Sequence, residues 1–98
     1  MSDTGKQKAI VRVQQLRMKY NILVHECKEA KLDLEEARDA FNKEPESKEL
    51  REGMSYKFNV HHRKMRQMNE AWQKSQSLMR EFGLTELNVI TDTRRTSW

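Results

Sequence analysis

The sequence predicts an all-α protein: one long antiparallel two-helix hairpin, coiled-coil-like and oligomeric, with a short C-terminal segment. Three observations predict it. Apolar residues recur at alternating spacings of four and three along two stretches, a rhythm that keeps one stripe of a helix facing one partner. The single proline of the chain lies between those stretches. Charged residues are 35% of the chain and hydrophobic ones 36%, with three glycines, which suits a narrow helix–helix seam and not a wide core.

The first stripe is Ala9, Val13, Leu16, Tyr20, Leu23, Cys27, Ala30, Leu34, Ala37 and Phe41, with no Gly or Pro between Lys6 and Phe41. It predicts a helix over 4–41, started by Asp3 or Thr4 as a cap that accepts from a free backbone N–H. Some 38 residues at ~1.5 Å rise give a rod of about 57 Å. Residues 42–47 form the turn, because Pro45 disfavours helix at Glu44 and cannot donate an intrahelical bond. A second helix is expected over 47–82, with the stripe Met54, Phe58, His61, Met65, Met68, Trp72, Ser75, Met79 and Phe82. Gly53 inside it costs about 1 kcal/mol relative to Ala, and Gly83 sits where a left-handed cap is wanted. The hairpin therefore occupies 1–83, and 84–98 is a tail, partly disordered, whose residues 84–90 carry four apolar side chains of their own.

Folding back at the turn brings the stripes into register. Leu34 meets Phe58, Cys27 meets Met65, Tyr20 meets Trp72 and Val13 meets Met79. Trp72, in mid-seam, is the expected largest contributor to stability, while Trp98 and the rest of 92–98 contribute little. Charge agrees with this pairing. Residues 1–25 carry +4, residues 26–49 carry −4 and residues 50–98 carry +4. The acidic half of the first helix then lies against Arg51, Lys57, Arg63, Lys64 and Arg66.

Several apolar residues of the first helix are left over: Ile10, Val11, Met18, Ile22, Val24 and Leu32. They form an outer strip, and apolar strips of this kind mark interaction surfaces, against the plain alternative that scattered surface apolars are ordinary. The expected function is a non-catalytic protein–protein interaction or assembly module: an adaptor, chaperone-like protein or regulatory subunit. Its partner is itself or another helical protein. The alternative is an accessory protein that binds single-stranded nucleic acid without sequence specificity. It would use basic zones within 6–19 and 57–66, above all Arg12, Lys19, Lys57, Arg63, Lys64 and Arg66, whose charges attract phosphates. The plain account of the second zone is pairing with the acidic half of the first helix.

No Gly-rich phosphate loop, nucleophile elbow or paired-carboxylate arrangement is present, so no catalytic residue is assigned and the chain is read as not an enzyme. No cofactor and no metal are expected. His25, Cys27, His61 and His62 do not gather the four ligands of a zinc site, and a seam thiol with a seam histidine is the simpler account. Arg94-Arg95-Thr96-Ser97 fits a basic-directed kinase pattern, and Thr96-Ser97-Trp98 a C-terminal peptide ligand; both are short enough to arise by chance. The lone cysteine, the absence of an apolar leader and the longest apolar run, Ile22-Leu23-Val24, point to a cytoplasmic or nuclear protein with no membrane partner.

Overall fold

The computed structural model describes residues 2–90, and side chains from Thr4 onward. Two long helices account for most of them, α1 over Ser2–Lys43 and α2 over Lys48–Glu81, and no strand occurs among the described residues. The helix α1 begins ahead of the expected start, so Asp3 and Thr4 lie within its first turn and not before it. Residues 91–98 lie outside the described part, and with them the kinase pattern, the C-terminal ligand pattern and Trp98.

The connection between the helices is built by the residues the sequence offers. Ser47 N donates to Glu44 O at 3.0 Å, closing a tight turn with Pro45 at its second position, where a fixed φ is an advantage. The Ser47 hydroxyl then accepts from Leu50 N at 3.2 Å and caps α2. Pro45 therefore belongs to the turn, and Ser47 to the helix start. At the other end α2 closes as expected. Gly83 adopts φ +62, Leu84 N donates to Met79 O at 2.8 Å and Gly83 N to Arg80 O at 3.3 Å. This paired 6→1 and 5→2 pattern is the Schellman cap, which needs a left-handed residue.

The chain forms two compact units. One takes Met1–Asn21 with Asn69–Trp98, the other Ile22–Met68. In each, α1 and α2 pack antiparallel. In the second unit Lys64 Nζ reaches Glu26 Oε2 at 3.1 Å and Lys57 Nζ reaches Asp33 Oδ2 at 3.9 Å. In the first unit the rings of Tyr20 and Trp72 lie 5.2 Å apart, the contact the register demands.

The stripe of α1 is buried as the spacing predicts, with Val13 fully inaccessible and Leu16, Leu23, Cys27, Ala30 and Leu34 buried. The stripe of α2 is buried only at Ser75 and Met79. The helix also buries Ala71, whereas Phe58, Met65 and Trp72 keep 46%, 39% and 43% of their surface exposed. Trp72 therefore flanks the seam and does not fill it. The physical reason is the set of alternatives one position away. Small Ala71 and Ser75 let α2 approach α1 closely, and the Ser75 hydroxyl is satisfied locally by donating to Trp72 O at 2.7 Å. In the second unit Lys57 and Lys64 are half-buried, and their ammonium groups meet Asp33 and Glu26. Of the five basic residues expected to pair with the acidic half of α1, these two do so; Arg51, Arg63 and Arg66 are exposed.

The apolar segment after Gly83, which the sequence leaves to fold back as a short helix or strand or to dock on a partner, folds back. Residues 86–90 form a helical turn, started by a reciprocal cap in which Thr85 N donates to Asn88 Oδ1 at 2.9 Å and Asn88 N to Thr85 Oγ1 at 3.3 Å. Leu84 and Val89, at 8% and 3% exposure, join Ala9, Ile10, Val13 and Met79 in one core cluster.

Candidate protein-binding surface

Within one helix, residues three and four apart lie side by side on a face. On α1 the positions 11, 15, 18, 22, 25, 29 and 32 make such a face, turned away from the buried stripe of 9, 13, 16, 20, 23, 27, 30 and 34. In the first unit this face carries Val11 at 43% exposure and Met18 at 66%; in the second it carries Ile22 at 58% and Leu32 at 59%. Four of the six residues assigned to the outer strip are therefore exposed. Ile10 is not: it is 4% exposed, because residues 84–90 cover it. Val24 is half-buried on the flank of the seam. The apolar Leu84 and Val89 and the Thr85–Asn88 capping pair mark a segment able to dock, but do not show that it docks on Ile10.

The docked segment is fastened by polar bonds as well. Gln14 Nε2 donates to Val89 O at 3.0 Å. Arg17 forks onto the Glu86 carboxylate, with Nη1 to Oε2 at 2.7 Å and Nη2 to Oε1 at 2.5 Å. The two-bond geometry raises the Arg17 pKa above its ordinary value and holds the Glu86 carboxyl below its own, in each case chiefly through the hydrogen bonds between them. Arg17 lies within the basic zone of residues 6–19, and the structure pairs it with Glu86.

The basic zones divide. Lys57 and Lys64 are committed to Asp33 and Glu26, while Arg12, Lys19, Arg63 and Arg66 are exposed. Next to Arg12, a shallow hollow of about 360 Å³ is lined by Gln7, Lys8, Val11, Arg12 and Gln15.

The four residues weighed as metal ligands go to different places. Cys27 is buried, and burial pushes its thiol pKa up, so the thiolate that binds metals or attacks electrophiles is disfavoured. His62 packs on the Phe58 ring at 4.4 Å, His61 is half-buried and His25 is exposed. Among the described residues no group of three or more His, Cys, Asp or Glu side chains could hold a metal ion, and no helix is long and apolar enough to cross a membrane. The chain matches no family model, no curated protein and no solved structure.

Proposed function

We propose that this protein is a non-catalytic assembly module, acting through the outer face of α1 and residing in the cytoplasm or nucleus. The observation that carries the reading is the exposure of Val11, Met18, Ile22 and Leu32 on a single face of one helix. Exposed apolar side chains gathered in this way are covered by a partner more often than by water. Replacing Met18 and Leu32 together with lysine puts charge on that face without touching the buried stripe. Sedimentation should then show a chain reduced to monomer, and circular dichroism an unchanged helix content. An assembly that survives both lysines, or a wild-type chain that forms none, overturns the reading.

A second reading, accessory binding of single-stranded nucleic acid, is favoured by the exposure of Arg12, Lys19, Arg63 and Arg66. It is weakened by the engagement of Lys57 and Lys64 with carboxylates. The two readings part with salt: phosphate contacts weaken steeply as salt rises, whereas apolar helix packing does not.

A further inference from the structure

We infer that the part of the α1 outer face in the first unit binds an acidic amphipathic helix of another protein, with carboxylates against Lys8, Arg12 and Lys19 and apolar side chains against Val11 and Met18. This rests on the proposed reading of the face and deepens it by naming a partner's chemistry. It uses residues of the first unit alone.

The sequence sets the charge of this stretch. From Thr4 to Asn21, α1 carries five cations, Lys6, Lys8, Arg12, Arg17 and Lys19, and no acidic residue. Arg17 is committed to Glu86. Helix periodicity sorts the rest. Lys8, Val11, Arg12, Gln15, Met18 and Lys19 follow one another at steps of three, four and seven, so they share one side of the helix. All six are exposed. Val11 and Met18, seven apart, lie along one edge of that side, and Lys8, Arg12 and Lys19 along the other. Apolar and charged positions flank a coiled-coil seam in this way. The hollow of about 360 Å³ lies on the same side, with Val11 in its lining beside Lys8 and Arg12. It is a recess for an apolar side chain whose neighbours are carboxylates.

The charges await a partner. Among the described residues Lys8, Arg12 and Lys19 make no salt bridge. Glu70 and Lys74 of α2 border another hollow with Arg12, and their charges offset each other. A helix that brings carboxylates is therefore complementary to this side, and a basic one is repelled. The same stretch of a second copy sets cation against cation, which leaves contact between copies to Ile22 and Leu32 in the second unit. Nucleic-acid bases stack on aromatic rings, and none stands between Thr4 and Lys19. A lipid surface takes a broad apolar face, whereas here Gln15 parts two apolar side chains.

The test uses the whole chain and a fluorescein-labelled synthetic helix of three heptads, with Leu at the a and d positions and Glu at e and g, followed by fluorescence anisotropy. Wild type should bind this peptide, and bind its counterpart with Lys in place of Glu about tenfold or more weakly. Lys8→Glu, Arg12→Glu and Lys19→Glu, made together, should reverse that preference, and an unfolded chain could not gain affinity for the Lys peptide. Val11→Ala with Met18→Ala should weaken binding of the Glu peptide with helix content unchanged by circular dichroism. Equal binding of the two peptides, an unreversed preference in the charge variant, or tighter binding of a thymidine oligonucleotide or of phosphatidylserine vesicles than of the Glu peptide overturns the inference. Any of these, accompanied by disassembly of the Met18→Lys, Leu32→Lys variant, leaves the binding face standing and sinks only its acidic partner. A wild-type chain that is monomeric and takes neither peptide sinks both.

Discussion

Leu16→Ala lowers the stability of the first unit by about 2–4 kcal/mol, whereas Trp72→Ala, the larger truncation, costs no more than about 2 kcal/mol. Leu16 is 3% exposed, so its removal leaves a void that neighbours on a helix cannot fill by small shifts. Trp72 keeps 43% of its surface in water, and what it loses is one side of its contacts, including the tilted ring pair with Tyr20. At roughly 4–8 °C per kcal/mol for a domain of this size, the melting temperatures of the two variants separate readily by circular dichroism. A greater loss for Trp72→Ala would mean that the indole fills the seam, as the sequence register has it.

Val89→Asp detaches residues 84–90 and costs about 2–4 kcal/mol. The residue is 3% exposed among Ile10, Val13, Met79 and Leu84, and a carboxylate there must be dehydrated or expelled. Amide exchange over residues 86–90 should rise to the rate of an unstructured segment while amides of the second unit keep their protection. Acid should act on the same segment. Glu86 is held below the ordinary carboxylate range by Arg17. Its contribution is therefore complete above that range, near pH ~4.3, and is lost as pH falls through the lower value of the folded state. Exchange of the segment that stays slow in the Asp variant would show that 84–90 is held by something other than the apolar cluster.

The fold was legible because two independent local signals, the four-three spacing and the Pro45 turn, agree with each other. On α1 the stripe residues Ala9, Val13, Leu16, Leu23, Cys27, Ala30 and Leu34 are buried as the spacing has it, with Ile10 added beside them. On α2 the spacing is ambiguous. Phe58, Met65 and Trp72 on one flank and Lys57, Lys64 and Ala71 on the other share the same central residues. A count of apolar side chains prefers the first flank; close approach at Ala71 and Ser75 and the pull of Glu26 and Asp33 bring in the second. Such a choice depends on the partner helix and cannot be read from α2 alone. For the docked segment the sequence leaves folding back open and does not show where it lands. Its cap, Thr85 with Asn88, was present in the sequence, but the face it lands on becomes visible only once Ile10 is known to sit beside Val13 and not on the outer strip. Of the outer face, the exposed residues Val11, Met18, Ile22 and Leu32 follow directly from helix periodicity.

The two units differ in how much chain must be gathered to make them. Lys64 and Glu26 are 38 positions apart, while Gln14 and Val89 are 75 apart. A doubling of loop length adds about 0.6 kcal/mol of closure entropy when the chain is open. Once residues 22–68 have zipped from the Pro45 turn, the strands of chain leading to the first unit are already brought back, and that penalty falls away. The first unit is thus the late product of folding, and pulse-labelled exchange during refolding should protect amides of 22–68 before those of 2–21. A chain emerging from the ribosome can complete its second unit while Ile10 and Val13 still wait for Leu84 and Val89 to be made.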